Sequence, residues 1–335
     1  MSISPILLLG GTGQIGHFTS QALRRRYPDL PLLIGSRSRQ KAERVASALN
    51  HAEAAVIDLH ADDLGLGERP IGAIAVLYGD ERLASLRYAQ ARGIPHLGIS
   101  TGVYEVAPEI AIHMQRPDAA AMVLGYEWLV GATTIATLIA AKAYARVDGI
   151  RIGALVDEED WGGPTVAEDF ERFASVTTSV LARREGAFVW RKGDDAGFSF
   201  RAIDNTELAA SGFSSIDIAG LAAVTGASNI EFGIGTGVSS SRRAGGAKST
   251  EIIIELSGFD EAGTSLRSRH AVFHPGGAAP LTALGIGMVL ERLAGLDGRP
   301  PTRAGLFFPY QIVDHGEYLE RLTQEGGRLM ALPFV

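Results

Sequence analysis

The stretch that most constrains this chain is its first glycine loop, Ile6-Leu7-Leu8-Leu9-Gly10-Gly11-Thr12-Gly13-Gln14-Ile15-Gly16. An apolar run with no polar interruption reads as a buried parallel strand. It stops at glycines, and a segment of helical habit, His17 to Arg26, follows at once. Gly11, Gly13 and Gly16 keep the G-x-G-x-x-G spacing in the setting it needs, after a strand and opening a helix. Gly11 allows the tight turn, Gly13 lets backbone N–H groups approach a pyrophosphate, and Gly16 lets the helix pack close on the strand. The helix N-terminus adds unpaired N–H donors and the positive end of the dipole, so Thr12, Gln14 and Ile15 join the glycines as candidate dinucleotide contacts.

The next strand exit bears on which dinucleotide. Leu30-Pro31-Leu32-Leu33-Ile34-Gly35 reads as a second buried strand running into Ser36-Arg37-Ser38-Arg39 and a helix from Gln40 to Leu49. NAD-binding units place an acid about 20 residues after the glycine loop to bind the ribose 2′-OH. Here Gly35, Ser36 and Arg37 occupy that place, and Asp29 lies at the wrong end of the strand. An arginine flanked by the hydroxyls of Ser36 and Ser38 suits a 2′-phosphate, because the guanidinium fork offers it two donors. NADP is therefore expected over NAD; the alternative is that Arg37 and Arg39 are solvated residues opening a surface helix.

Strand and helix then alternate. Ala54 to Ile57 reads as a third strand ending at Asp58, an acid that suits an adenine amino group or a turn or helix cap for Ala61 onward. Ile71 to Leu77 is a fourth, ending at Tyr78-Gly79-Asp80 and followed by a helix from Glu81 to Arg92. His96 to Ile99, a helix from Pro108 to Gln115, and a sixth strand from Ala119 to Leu124 complete the pattern. Such alternation predicts a doubly wound parallel sheet with ligand at the carboxyl ends of its strands, where Tyr78, Gly79, Ser100 and Thr101 fall.

After Gly125-Tyr126-Glu127-Trp128-Leu129-Val130 the pattern changes. A long apolar helix from Ala132 to Arg146 leads to a strand from Gly149 to Val156. The turn Trp161-Gly162-Gly163-Pro164-Thr165 opens a helix from Val166 to Arg183. Segments 186–192, 197–203, 251–257 and 265–273 read as strands, the last two joined by a hairpin. Helices from Gly276 to Ala294 and from Gly316 to Glu325 follow. The expectation is an α/β chain: a Rossmann domain over 1–130, joined by a returning helix and tail, 276–335, and an α+β domain over 131–275 on a mainly antiparallel sheet. Loop Ser239 to Ser249, basic and rich in Gly and Ser, reads as an active-site lid for an anionic substrate or as a disordered surface loop.

Bulk properties narrow the partners. A chain of 335 residues is long enough for about two domains with sizeable cores. Its net charge of −7 argues against nucleic acid or an anionic membrane surface. With no cysteine there is no disulfide, thiolate metal site or thiol nucleophile. No basic leader precedes the first apolar run, and no continuous apolar stretch reaches the ~18 residues a membrane span needs. A cytoplasmic location without a membrane partner is the expectation.

Three segments make the chain resemble the saccharopine dehydrogenase-like (saccharopine reductase) superfamily. They are Leu9-Gly10-Gly11-Thr12-Gly13-Gln14-Ile15-Gly16, the strand exit Ile34-Gly35-Ser36-Arg37-Ser38 continuing to Lys41-Ala42, and Ala89 to Ser100 with its Gly93-Ile94-Pro95-His96 turn. The order of an α+β insert followed by Pro280-Leu281-Thr282-Ala283 is similar as well. This resemblance implies a nicotinamide-dependent oxidoreductase, often acting on an amino acid joined to a keto acid by a secondary amine, and commonly a homodimer. Two departures stand out. The family's strand after Gly93 usually carries an acid near its end where this chain has Gly98, and its sixth-strand exit commonly has Gly-Pro where this chain has Gly125-Tyr126.

Hydride transfer to a C–N or carbonyl centre of a small substrate needs a group that moves a proton. No lysine has a tyrosine four residues before it, which disfavours the Tyr-x-x-x-Lys arrangement of short-chain reductases. Tyr78, Tyr126 and Glu127 are the candidates. His96 reads as a structural histidine, and the strand spacing of His270 and His274 does not suit a metal pair, so no metal is expected. A dicarboxylate substrate would call on Arg172, Arg201, Arg267 or Arg269. Two other readings stay open: a non-catalytic NADP-binding sensor or scaffold, and an atypical short-chain-like carbonyl or quinone reductase.

Overall fold

The computed structural model describes residues 4–160, 162–176 and 178–334. Trp161, expected in a turn, lies outside the described residues. In chain order the first elements are β1 (Ile6–Leu9), α1 (Gln14–Arg26), β2 (Leu32–Ser36), α2 (Arg39–Ser47), β3 (Ala52–Val56), β4 (Ala73–Val76), α3 (Ala84–Arg92), β5 (His96–Gly98), α4 (Val106–Gln115) and β6 (Ala121–Leu124). Then come α5 (Ala132–Ala141), β7 (Arg146–Asp157), α6 (Pro164–Val176), β8 (Val180–Arg184), β9 (Ala187–Arg191), β10 (Gly197–Arg201), β11 (Glu207–Gly212), α7 (Asp217–Thr225), β12 (Asn229–Gly237) and α8 (Ser240–Arg243). The last are β13 (Thr250–Phe259), β14 (Ser265–His274), α9 (Ala278–Ala294), β15 (Gly305–Phe307), α10 (Pro309–Ile312), α11 (His315–Gln324) and β16 (Arg328–Leu332).

The chain divides into two compact units, 1–126 with 163–165 and 282–313, and 127–162 with 166–281 and 314–335. In the first, a parallel sheet runs in the order β15-β6-β5-β4-β1-β2-β3. The order reverses between β1 and β4, which is the topological switch of a doubly wound fold. Strands β1, β4, β5 and β6 are buried along their whole length, as expected of strands covered on both faces. Leu7, Leu9, Leu33, Ile74 and Val76 form one core with Tyr88 and Ala89 of α3. Met122 and Leu124 form another with Leu86.

The second unit is built on a sheet ordered β10-β11-β12-β7-β13-β14-β16, with β8 pairing β12 and β9. Its pairs are antiparallel except β7 with β12, which run parallel over Gly149–Asp157 and Asn229–Gly237. On one face α5 packs against β13 and β14, and α7 against β12. On the other, Phe200 and Phe198 of β10 sit directly over Gly153 and Gly233 respectively, where a Cβ would run into the aromatic ring. Those glycines let the aromatic pair close this second core with Leu155, Ile253 and Ala271.

Three expectations change. The helix expected from Val166 to Arg183 ends at Val176, and β8 follows. The cause is the two-residue hairpin Glu185-Gly186, with φ of 50° and 82°, which pairs Arg184 with Ala187. Positive φ at both positions marks a type I′ turn, which holds β8 and β9 in register. The apolar helix stops at Ala141 instead of Arg146, because Arg146–Asp157 forms β7 between β12 and β13. The tail does not all rejoin the Rossmann unit: β15 extends the parallel sheet beside β6, whereas β16 pairs antiparallel with β14 in the second.

A Cβ on Gly16 would lie 2.5–2.7 Å from the backbone of Gly11. Gly287, within α9, has open space at the same position. Gly16→Ala should therefore destabilise by roughly 1–3 kcal/mol through overpacking. Gly287→Ala should stabilise by up to about 1 kcal/mol through helix propensity. Urea midpoints of the two variants measure this; shifts of the same sign would refute the packing account.

Candidate functional site

The glycine loop forms the base of the site. Gly10 N–H donates to Gly35 O at 3.1 Å, Gly11 N–H to Leu8 O at 3.0 Å and Gly13 N–H to Gly10 O at 2.9 Å. The positive φ of the turn, 85°, falls on Gly10 and not on Gly11, where the sequence spacing puts the tight turn. Gly11 is a close-approach position, its missing Cβ 2.9 Å from Leu8 O. Around Gly13 only Gly10 O lies within 4 Å of an added Cβ, so this residue faces open space. It is also the N-cap of α1, where no side chain caps the helix. The first N–H groups of α1, from Gln14, Ile15 and Gly16, have no intrahelical acceptor and suit a pyrophosphate.

At the neighbouring exit of β2, Ser38 caps α2 by accepting Lys41 N–H at 3.4 Å and donates its own N–H to Ser36 Oγ at 3.2 Å. Arg37 between them is exposed, and among the described residues no carboxylate pairs with it. Arg39, by contrast, sits 3.8 Å from Glu43. The unpaired guanidinium and two hydroxyls are thus gathered one strand from the glycine loop. Asp58 is exposed and accepts His60 N–H at 2.9 Å, forming a turn in place of a helix cap, since no helix starts at Ala61.

Tyr78 follows β4 and lies against the loop: its ring is 3.0 Å from where a Gly10 Cβ would be. Burial, with Asp80 nearby, pushes its phenol up to about 12. Such a group holds its proton at neutral pH, and no carboxyl group hydrogen-bonds it among the described residues. Gly79 comes next at the same edge.

A second cluster forms where β5 and β6 end. Tyr126 donates a short hydrogen bond to Glu109 Oε2, and Thr101 Oγ1 donates to Oε1 at 2.7 Å. Glu109, in the first turn of α4, is 4% exposed, and burial raises its pKa against the lowering effect of those two bonds. Burial and the adjacent Glu109 hold the Tyr126 phenol well above its usual value. The Tyr126 hydroxyl lies 2.8 Å from an added Gly98 Cβ. Gly98 and Tyr126, the two departures from the superfamily pattern, are thus one feature: the missing side chain makes room for the phenol. Glu109 was not among the sequence candidates; its signal is an acid in the first turn of a helix just after the sheet-edge residues Ser100 and Thr101. Glu127 belongs to the other unit and is buried there, 2% exposed.

His96 is buried at 4% exposure and meets Ser85 Oγ at 3.3 Å. Ser85 donates to Asp80 Oδ2 at 2.7 Å, which leaves its oxygen to accept from His96 Nε2–H. Asp, Ser and His are the residue types of a hydrolytic triad, but serine stands in the middle and is 1% exposed, so it is no nucleophile. In the second unit His270 contacts Ser268 Oγ at 3.0 Å and His274 accepts Gly276 N–H at 3.0 Å.

The basic loop is neither a free lid nor disordered. It contains α8, and its cations are taken: Arg242 by Asp157 at 2.9 Å and Glu159 at 2.9 Å, Arg243 by Asp204 at 2.6 Å, Lys248 by Asp160 at 2.8 Å. Arg243 holds Asp204 down to about 2. Of the candidate substrate arginines, Arg172 pairs with Asp169 at 2.7 Å and Arg269 is buried on the carbonyls of Arg201 and Ala202. Among the described residues Arg201 reaches Asn205 O, at 3.5 Å. Arg267 stacks 3.9 Å over Phe334 and lines a cavity of about 710 Å³ with Arg151, Arg183, Arg184, Glu231 and Glu255. No group of three potential metal ligands gathers among the described residues. None of their helices is long and apolar enough to cross a membrane.

No protein-family model matches this chain, and no curated protein does. Solved structures do. Saccharopine dehydrogenase (L-Glu forming) from Saccharomyces cerevisiae superposes over 98% of this chain and 100% of its own with a TM-score of 0.64 at 12% identity. Amine dehydrogenase from Mycobacterium smegmatis matches over 94% and 96% with a TM-score of 0.50 at 13% identity. The chain has the saccharopine dehydrogenase fold, as its resemblance implies.

Burial lowers the His96 pKa to about 4, with Asp80 opposing. The folded state therefore excludes a proton that the unfolded chain binds below about 6.5. Its contribution is complete above that pH and is lost as pH falls towards 4, on the order of 3 kcal/mol in all. His96→Gln should flatten this part of the acid limb in denaturation midpoints collected from pH 7 to pH 4. An unchanged slope would show that His96 is not the group responsible.

Proposed function

We propose that this protein is an NADPH-dependent oxidoreductase acting at a C–N or carbonyl centre of a small substrate. The observation that carries the reading is Arg37: exposed, with no carboxylate partner among the described residues, flanked by Ser36 and Ser38, and standing at the strand exit where NAD-binding units place an acid. The residues fit the group. The open face at Gly13 and the uncapped start of α1 suit the pyrophosphate, and the Arg37 fork suits a 2′-phosphate. With the 2′-phosphate at β2, the nicotinamide half falls on the β4–β6 side of the switch point, towards Tyr78 and Tyr126. NADPH supplies a hydride when bound.

What this chain contributes is placement and proton handling. Tyr78 covers the loop at Gly10 as an apolar wall with a firmly held proton. Tyr126 brings a hydroxyl to the end of β5. One structural neighbour is named an amine dehydrogenase and the other a saccharopine dehydrogenase forming L-Glu, which supports an imine or secondary amine as substrate. A homodimer is part of the same proposal, resting on the resemblance alone.

Fluorescence titration with NADPH and NADH tests the cofactor. The intact protein should favour NADPH, and Arg37→Ala should weaken NADPH by about 10–100-fold, the worth of one charge-assisted contact, while leaving NADH within twofold. Equal affinity for both cofactors would overturn the assignment of Arg37.

A further inference from the structure

Glu109 has no role in the reading above, yet its setting is unusual for a carboxylic acid. It is buried beneath the sheet edge, and among the described residues no lysine, arginine or histidine pairs with it. Its two recorded partners are neutral hydroxyls, Thr101 Oγ1 on Oε1 and Tyr126 on Oε2. The other charged groups that act on it are carboxylates, Asp80 from the end of β4 and Glu105 before α4. Glu105 is occupied in part by Gly102 N–H at 3.0 Å. Burial without a cation, with acids around it, favours the neutral acid.

In the neutral form the hydrogen bond reverses. Thr101 still donates to Oε1, but Oε2 now carries the proton and donates it to the Tyr126 oxygen. The phenol's own proton is then free to point away from Glu109. The hydroxyl occupies the space that a Gly98 side chain would fill, at the end of β5. Tyr126 as a residue reaches the surface in part while Glu109 is buried, so the tyrosine is the outer member of a two-step chain.

We propose that Glu109 stores the proton used in reduction at this site and passes it through the Tyr126 hydroxyl to the substrate. This rests on the NADPH-dependent reading above. In the step, the substrate carbon accepts a hydride with its two electrons from the dihydronicotinamide, and the π pair of C=N or C=O moves to nitrogen or oxygen. That atom takes the Tyr126 proton, the phenol oxygen takes the Glu109 proton, and Glu109 is left as a carboxylate that water reprotonates. Tyr126 is the catalytic residue, Glu109 the positioning and supplying one behind it.

The test pairs an infrared titration with kinetics on the full chain. In the wild type the Glu109 carboxyl, told apart from buried Asp217 by its loss in Glu109→Gln, should stay protonated above the ordinary glutamate range of about 4.3. Glu109→Gln should abolish that signal. Tyr126→Phe should move it to higher pH, because the phenol bond lowers the Glu109 pKa. With NADPH and a panel of 2-keto acids offered with amino acids, turnover should fall as pH rises through the titration. Glu109→Gln and Tyr126→Phe should each lose about 10²–10⁴ in turnover, the first without that alkaline limb, while NADPH affinity by fluorescence stays within twofold. A wild type without the carboxyl signal, or a Glu109→Gln variant with unchanged turnover and the same alkaline limb, overturns the proposal. Failure of the wild type to bind NADPH would instead remove the reductase reading, leaving the infrared titration to decide the proton on Glu109.

Discussion

The start of the first helix can lie where it does only because residue 16 has no side chain. A Cβ there would fall 2.5 Å from Gly11 Cα, well inside any non-bonded contact between carbon atoms. That approach turns the N-terminal N–H groups of α1 towards the loop mouth and brings Gly13 into the open. The loop is closed from below by backbone bonds from Gly10 and Gly11 to Gly35 and Leu8, so its shape is set by β1 and β2 together. With the floor fixed, the exits of β2 and β4 on either side hold Arg37 and Tyr78. Loop geometry and helix packing are therefore one problem: a change that lifts α1 off the loop alters both.

Legibility in the sequence followed the range of the interactions. The parallel unit was readable because its signals are local: apolar runs, glycine punctuation and the Ser38 cap. In the second unit such signals were outweighed. Residues after Val176 have helical neighbours, but β8 gains its partners from β9 and β12, and the Glu185-Gly186 turn fixes the hairpin. The strand β11 reads as a polar, small-residue stretch, yet it is held between β10 and β12. The parallel pairing of β7 with β12 joins residues about eighty apart, which no local pattern reports. Single-sequence reading fails where pairing across the fold decides conformation.

The same division applies to charge. The sequence shows cations in loop Ser239–Ser249 but not the acids at Asp157, Glu158, Glu159, Asp160 and Asp204 that meet them. Those acids come from the end of β7 and the turn after β10, remote in sequence and adjacent in space. A cation already paired at 2.6–2.9 Å would have to abandon its partner to hold a substrate anion. Arg37 and Arg267 carry no such penalty, as neither has a carboxylate partner among the described residues. Unpaired charge discriminates between these arginines better than their number or order does.

Gly98 and Tyr126 show the same principle for the polar cluster. Taken separately, a glycine in place of an acid and a tyrosine in place of a proline read as two losses from a superfamily pattern. In space they make one arrangement, in which removing a side chain at the end of β5 admits a phenol from the exit of β6. The carboxyl group is still present, supplied by α4 as Glu109 and reached through that phenol. A side chain at position 98 would collide with Tyr126, so the two arrangements exclude each other. The hydrogen-bonded cluster at this sheet edge therefore depends on the three residues as a set, each placed by the others.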